Sequence, residues 1–124
     1  MNKKKILVID DEKAILSLLK VALERTGRYE VATLDKGQAA LATARTFKPD
    51  IVFLDINMPD MEGSAVAYAL RSDEAFVNLP IVFLTGSVTA DEVAESGGQI
   101  GGQEFLAKPI NLSLLTACID KHVR

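Results

Sequence analysis

Three short apolar runs constrain the fold of this chain more than any other feature of its sequence. They cover residues 6–9, 51–54 and 81–84, are rich in β-branched residues, and end at polar residues. Runs of this kind are typical of strands that are buried on both faces, as in a parallel sheet. Two weaker strand candidates cover residues 29–34 and 103–106, the second after a group of glycines.

Helical patterns separate these candidate strands. An amphipathic stripe runs through residues 13–25, and Gly27 follows it as a stop signal. Asp35 and Gln38 have the spacing of a capping box, which predicts a helix that begins there and ends before Pro49. Each pattern supplies a connection of the kind that parallel strands require.

The alternation continues in the second half of the chain. Residues 63–71 have a shorter helical pattern, and Asn111 is a predicted cap of the last helix. One face of that last helix holds Leu115, Cys118, Ile119 and His122. The whole pattern, five alternations of strand and helix, predicts an α/β fold: a doubly wound sandwich with a parallel sheet and right-handed crossovers.

The segment 89–102 departs from this regular pattern. Residues 89–95 begin like a helix, but glycines follow, each of which costs a helix interior about 1 kcal/mol relative to alanine. These glycines are Gly97, Gly98, Gly101 and Gly102. We expect a short fourth helix and a loose connection to the fifth strand.

Length and composition limit the number of domains and the class of partner. A chain of 124 residues with 48% hydrophobic residues fills one core, so we expect a single domain over residues 1–124 with no output domain. A net charge of −3 gives no reason to expect direct nucleic-acid binding, which needs a basic surface. The apolar runs are too short for an export signal or a membrane span. We therefore expect a cytoplasmic protein without membrane contact.

Cysteine and histidine each occur once in the sequence. Cys118 cannot form an internal disulfide, which fits a reducing compartment. With His122 as the sole histidine, a zinc site or a Cys/His catalytic pair is also disfavoured.

Chemically active side chains are concentrated after the candidate strands. Parallel strands end at one edge of a sheet, and ligands bind at that edge in doubly wound folds. In this chain the edge would collect Asp10, Asp11, Glu12, Asp55, Thr85 and Lys108. Massed carboxylates repel one another unless a cation is present, and oxygen ligands suit Mg²⁺. Because the sequence has no Gly-rich phosphate loop, the group fits phosphoryl transfer to an aspartate nucleophile.

Four motifs in register make the chain recognisable. They are residues 9–12 (IDDE), 55–63 (DINMPDMEG), 84–86 (LTG) and 105–109 (FLAKP). With them the chain resembles, over essentially its whole length, the receiver domain of two-component response regulators, of the chemotaxis type with a single receiver. The resemblance implies a flavodoxin-like fold, a doubly wound (βα)5 three-layer sandwich with a five-stranded parallel sheet in the order 2-1-3-4-5. The resemblance implies a phosphorylation-regulated switch rather than an enzyme, one that assists only its own phosphorylation and dephosphorylation.

The resemblance also implies roles for individual residues. Asp55 would accept a phosphoryl group from a sensor histidine kinase or a histidine phosphotransfer protein. Mg²⁺ would be held by Asp10, Asp11, Asp55 and the backbone carbonyl of Asn57. The acidic residues would thereby form a metal site that is part of the function.

Transmission of the signal is implied in the same way. Thr85 would hydrogen-bond a phosphoryl oxygen, and Lys108 would pair with it, aimed by a cis bond before Pro109. Phe105 matches the family's aromatic switch residue, so that Thr85 and Phe105 would shift the face formed by the fourth helix, fifth strand and fifth helix. That face would contact a downstream protein or a covalently linked output domain. The chain would be a monomer or would form a weak dimer through the same face. The segment 97–102 beside it departs from the family pattern.

Other functions compete with this assignment. An aspartyl-phosphate phosphatase of the haloacid-dehalogenase type needs an acid two residues after its nucleophile, where this chain has Asn57. A flavodoxin-like binding module is disfavoured by the acidic loop after the first strand. A receiver within a longer protein stays open. Met1 close to the first strand disfavours a hybrid kinase and leaves a single-domain receiver and an amino-terminal receiver both open, and the reading frame after Arg124 would decide between them.

Overall fold

One sheet carries the predicted strands. The computed structural model describes residues 3–56, 58–86, 99–100 and 103–123. Within these residues the strands are β1 (Lys4–Ile9), β2 (Tyr29–Leu34), β3 (Ile51–Asp55), β4 (Ile81–Thr85), β5 (Gln99–Ile100) and β6 (Gln103–Ala107). Their order in the sheet is β2-β1-β3-β4-β6-β5.

Helices alternate with the strands in the described part of the chain. They are α1 (Lys13–Glu24), α2 (Ala40–Phe47), α3 (Gly63–Arg71) and α4 (Leu112–His122), with short 3-10 turns at Gly37–Ala39 and Glu74–Phe76. None of these described helices combines the length and the apolar character that crossing a bilayer requires. The fourth helix predicted at residues 89–95 lies outside the described residues, so α4 corresponds to the last helix of the predicted pattern.

The parallel part of the sheet confirms the predicted fold. Strands β2, β1, β3, β4 and β6 pair in parallel, in the predicted order 2-1-3-4-5, with β6 as the fifth strand. The short strand β5 is an addition at the edge, where it pairs antiparallel with β6 and places Gln99 opposite Glu104. A Gly-Gly pair separates these two strands in the sequence, and that pair favours two-residue hairpins.

Strand β1 shows why the central strands have no polar alternation. Ile6 and Val8 belong to the hydrophobic core that the sheet forms with α1 and α4. Leu7 and Ile9 belong to the core on the α2 and α3 side. Successive side chains of a strand point to opposite faces, and because a core covers each face, all four are 0% exposed. Burial of each such side chain stabilises the fold by about 1.5–3 kcal/mol.

The start of α2 differs from its prediction. The N–H groups of Gly37 and Gln38 donate to the two carboxylate oxygens of Asp60, at 3.2 and 3.1 Å. Lys36, not Asp35, occupies the capping position, and within the described residues the recorded contact of the Asp35 carboxylate is an ion pair with Lys13 of α1. The predicted capping box at Asp35 is therefore wrong, because a carboxylate from the loop after β3 satisfies these N–H groups.

Other predicted helix ends are confirmed. Gly27 follows α1 with a φ of 77°, a conformation that glycine adopts without strain. Asn111 caps α4, since its Oδ1 accepts a hydrogen bond from the N–H of Leu114 at 3.1 Å. Gly27 thus ends α1 shortly before β2, and Asn111 begins α4 shortly after the carboxyl end of β6.

Candidate active site

The carboxyl ends of four strands place the predicted site residues at one edge of the sheet. Asp10 follows β1, Asp55 and Thr85 end β3 and β4, and Lys108 follows β6. Among the described residues, the buried polar or charged ones are Asp10, Asp55 and Thr85, which are 0%, 5% and 2% exposed. Buried polar groups are costly unless they are paired, so their concentration at one edge indicates a site.

Backbone hydrogen bonds fix these positions. The N–H of Asp10 donates to the carbonyl of Leu34 at 3.0 Å, and the N–H of Lys108 donates to the carbonyl of Thr85 at 2.8 Å. The N–H of Glu12 donates to Asp10 Oδ1 at 2.9 Å and so orients that carboxylate. The site is therefore held by the ends of the strands, which position side chains more exactly than loops do.

Carboxylates converge on a single ammonium. Oxygen atoms of Asp10, Asp11 and Asp55 lie within 4.8 Å of one another, with Asp11 exposed and the other two buried. Lys108 Nζ lies 2.8 Å from Asp10 Oδ2, 3.2 Å from Glu12 Oε1 and 3.5 Å from Asp55 Oδ1. The cluster consequently holds more negative than positive charge.

Lys108 remains charged in this setting. Partial burial of its side chain acts to lower the pKa of the ammonium. Close contact with Asp10 and the charges of Asp55 and Glu12 act in the opposite direction and prevail, so the pKa lies above its ordinary value. Lys108 is thus a permanent cation of the site at neutral pH.

The donor set fits a hard divalent cation. Asp10 Oδ2 is buried, and the Lys108 ammonium at 2.8 Å is its one close polar partner recorded within the described residues. A carboxylate oxygen with a free lone pair, next to the carboxylates of Asp11 and Asp55, suits the all-oxygen coordination of Mg²⁺. Asn57, whose carbonyl the resemblance adds to this set, lies outside the described residues.

Gly63 allows α3 to begin directly against the end of β3. Its N–H donates to the carbonyl of Ile56 at 2.7 Å. A Cβ added at this position would lie 2.6 Å from the carbonyl oxygen of Asp55 and 2.8 Å from Ile56 Cα, and neither backbone atom can yield easily. The last residue of the 55–63 motif therefore supports the backbone that presents Asp55.

Phe105 lies away from the carboxylates, on the α2 and α3 side of the sheet. Its half-buried ring packs against Phe83 of β4, with the centroids 5.5 Å apart and the planes tilted by 32°. Thr85 ends β4 two residues after Phe83 and pairs with Ala107 of β6. A movement of Thr85 at the end of β4 can therefore reach the Phe105 ring through Phe83 and through the pairing of β4 with β6.

Glu12 is a site residue whose contact with Lys108 was not predicted from the sequence. Its largely exposed carboxylate reaches Lys108 Nζ at 3.2 Å. The sequence signal that could have indicated this contact is the position of Glu12 directly after Asp10 and Asp11. At the same edge, the peptide bond between Lys108 and Pro109 is cis.

Comparison with known sequences identifies relatives of the chain. A family model described as the response regulator receiver domain matches residues 6–120. The chain is 40% identical over 113 residues to the alkaline phosphatase synthesis transcriptional regulatory protein PhoP of Bacillus subtilis, covering 90% of this chain and 44% of that protein. It is 35% identical over 124 residues to the phosphate regulon transcriptional regulatory protein PhoB of Pseudomonas aeruginosa, covering 100% of this chain and 53% of that protein. The chain spans about half the length of these curated relatives.

Solved structures with the same fold extend the comparison. The chemotaxis protein CheY4 of Vibrio cholerae superposes with a TM-score of 0.82 at 30% identity, covering 98% of this chain and 100% of that one. The receiver domain of the sensor histidine kinase PA1611 of Pseudomonas aeruginosa superposes with a TM-score of 0.79 at 21% identity, covering 98% of each chain. That second structure holds a magnesium ion in its active site cleft.

Proposed function

The chain belongs to the response regulator receiver domains of two-component signal transduction, and on that premise we propose that Asp55 is its phosphoacceptor. The observation that carries this proposal is the convergence of carboxylates and one ammonium around Asp55 at the carboxyl edge. A receiver is a signalling switch, and we assign this one no turnover beyond its own phosphorylation and dephosphorylation. The acidic edge also opposes the flavodoxin-like alternative, because a flavin phosphate would meet like charge there.

Transfer to Asp55 requires mainly positioning from the protein. A carboxylate oxygen of Asp55 attacks the phosphorus of a phosphohistidine on the donor protein. The new P–O bond forms as the P–N bond breaks, and the electron pair returns to the imidazole nitrogen, which takes up a proton as it leaves. Asp55 is 5% exposed at the end of a buried strand, so its carboxylate is held in a fixed orientation for this attack.

Like charge is the main obstacle to transfer, because the incoming phosphoryl group meets an acidic cluster. Lys108 Nζ, 3.5 Å from Asp55 Oδ1, is placed to pair with a phosphoryl oxygen. Asp10, Asp11, Asp55 and the Asn57 carbonyl would hold Mg²⁺, which neutralises charge between the attacking and transferring oxygens when bound. Lys108 then exchanges part of its contact with Asp10 for contact with the phosphoryl group.

The response to phosphorylation would run along β4 and β6. The Thr85 hydroxyl donates a hydrogen bond to a phosphoryl oxygen and draws the end of β4 toward Asp55. Because the Phe105 ring packs against Phe83 on this strand, the space beside the ring changes and Phe105 turns inward. Phosphorylation then shifts the population of the protein between two packings that differ in the surface around β6 and α4.

The partners follow from the same chemistry. The phosphoryl donor is a sensor histidine kinase or a histidine phosphotransfer protein, and the receiver of the signal is a separate protein or a covalently linked output domain. Residues 1–124 form a single domain that contacts no nucleic acid directly, since its net charge is −3. The chain is a monomer or a weak dimer through the face around β6 and α4. The exchange takes place in the cytoplasm, where a lone thiol stays reduced.

Labelling by acetyl phosphate tests the assignment of Asp55. With Mg²⁺ present, the intact mass of the wild-type chain should rise by one phosphoryl group, whereas Asp55→Asn should stay folded and unlabelled. Asp50→Asn is a matched control, because Asp50 accepts a hydrogen bond from the N–H of Lys5 at 2.8 Å, beyond the other end of β3. The control should label like the wild type. Persistent labelling of Asp55→Asn would sink the assignment.

A further inference from the structure

A second cluster of metal-ligating side chains lies outside the carboxyl edge. Glu104 of β6 faces Cys118 and His122 of α4, and one ligand atom of each lies within 4.8 Å of the other two. Cys118 Sγ donates to Glu104 Oε2 at 3.3 Å, and His122 Nε2 lies 2.7 Å from Glu104 Oε1. One carboxylate therefore already bridges the thiol and the imidazole.

Regular secondary structure builds this cluster. Cys118 and His122 are four residues apart on α4 and so lie on the same face, one turn from each other. Glu104 points toward α4 because its neighbour Phe105 faces the opposite side of the sheet. Both elements are rigid, which is the setting in which side chains are held precisely enough to form a site.

Burial distinguishes these side chains from ordinary surface contacts. Cys118 is 7% exposed, and the side chains of Glu104 and His122 are 13% and 26% exposed. Burial and the charge of Glu104 raise the pKa of the Cys118 thiol to about 12, so the thiol is a neutral donor in the metal-free chain. Lys121 reaches Glu104 only at 3.8 Å from a largely exposed position. Within the described residues, Lys121 is thus the one lysine or arginine within 4 Å of this carboxylate.

We propose that Glu104, Cys118 and His122 bind a zinc-class divalent ion through three protein ligands, with a fourth coordination position open to solvent. Thiolate sulfur, imidazole nitrogen and carboxylate oxygen are the donors that zinc takes from proteins. Bond lengths of about 2.0–2.3 Å place the ligands of a tetrahedral ion about 3.3–3.6 Å apart. The present spacings of 2.7 and 3.3 Å, and at most 4.8 Å, need only small side-chain movements to reach that geometry.

Binding exchanges one set of contacts for another. The thiol of Cys118 releases its proton to solvent as the metal–sulfur bond forms. Glu104 no longer accepts hydrogen bonds from the thiol and the imidazole and becomes a ligand. The imidazole binds as a neutral ring that carries its proton on the nitrogen away from the ion. The ion would fasten α4 to β6 directly beside Phe105, on the opposite face of the strand. None of the ligands lies at the carboxyl edge, so the site does not depend on the assignment of Asp55.

Titration of the full chain with Co²⁺ tests the site, because cobalt takes the place of zinc and its thiolate complex absorbs in the near ultraviolet. Cys118 is the single cysteine of the chain, so a thiolate-to-cobalt band reports this site alone. Excess Mg²⁺ in the buffer occupies the acidic edge. We expect the band to saturate at one Co²⁺ per chain and to disappear when one equivalent of Zn²⁺ is added.

Variants separate a three-ligand site from a reactive thiol. His122→Gln and Glu104→Gln should each weaken Co²⁺ binding by about tenfold or more. Lys121→Gln is the control, since it removes a competing cation next to Glu104 and should keep or tighten binding. Circular dichroism of each variant checks that it is folded. No thiolate band in the wild type would overturn the site, as would an unchanged affinity in folded His122→Gln or one metal per two chains.

Discussion

Two clusters of ionisable side chains in this domain differ in composition and in position. The cluster at the carboxyl edge has oxygen donors around Lys108, whereas the cluster between β6 and α4 combines a carboxylate, a thiol and an imidazole. The first composition suits a hard cation and a phosphoryl group, and the second suits zinc. Strand β6 serves both, because it carries Glu104 and leads into Lys108. The comparison shows that a single strand of a small fold can contribute residues to two clusters of different composition.

Substitution of Gly63 should have the largest effect, and it should affect the cluster at the carboxyl edge but not the cluster between β6 and α4. Gly63→Ala forces a Cβ against the backbone of Asp55 and Ile56, and we expect it to lower the free energy of unfolding by about 2–3 kcal/mol and to reduce phosphoryl labelling. Gly86→Ala is a matched control near the same edge, where an added Cβ meets nothing within 4 Å, and its effect should stay within about 0.5 kcal/mol. Urea unfolding and intact-mass measurements give both quantities.

The cobalt band at Cys118 should survive Gly63→Ala, since that residue lies on the other side of the sheet from α4. Equal losses in the two glycine variants would contradict the close approach at Gly63. Loss of the cobalt band together with labelling would show that the two clusters are not independent.

Removal of the Lys108 charge is expected to have the next largest effect. Lys108→Met leaves the surrounding carboxylates without their cation, so in a chelator the free energy of unfolding should fall by about 1–2 kcal/mol. Added Mg²⁺ should restore more stability in this variant than in the wild type, because the ion replaces the lost charge. Urea unfolding with and without Mg²⁺ measures both changes.

Lys13→Met is the control for that experiment. Its ion pair with Asp35 spans 3.6 Å between exposed side chains and should contribute less than about 1 kcal/mol, with no dependence on Mg²⁺. A Lys108→Met variant that behaves like Lys13→Met would contradict the view that Lys108 offsets repulsion at the carboxyl edge.

The carboxyl edge was predictable because parallel strands must end together. Once residues 6–9 and 51–54 are assigned as parallel strands, Asp10 and Asp55 are neighbours whatever the details of the helices. The Glu104 cluster was harder to predict. It requires knowing both which residues of the weakly patterned strand β6 face α4 and which residues of α4 face that strand. The sequence places Cys118 and His122 on one helix face. It disfavours a zinc site there because nothing in the pattern adds Glu104 as a third ligand.

The fold shows the same division between general and local rules. Apolar runs and helical stripes were sufficient to assign the parallel strands, because both faces of the central strands are buried. The order of those strands followed from the resemblance to receiver domains. The start of α2 was mispredicted, because Asp35 matched a local capping pattern while the N–H groups found Asp60 more than twenty residues away. Strand β5 was not predicted, because the glycines of this segment were interpreted as helix breakers, whereas a Gly-Gly pair also favours a hairpin.

The central claim, that modification of Asp55 acts on Thr85 and Phe105, is tested most directly by NMR of the full chain with Mg²⁺ and beryllium fluoride as a phosphoryl mimic. We predict that the signals of Thr85 and Phe105 shift in the wild type and not in Asp55→Asn. Tyr29, which is buried on the α1 and α4 side of β2, should stay unchanged as an internal reference. Shifts confined to residues around Asp55, with Thr85 and Phe105 unmoved, would contradict the switch.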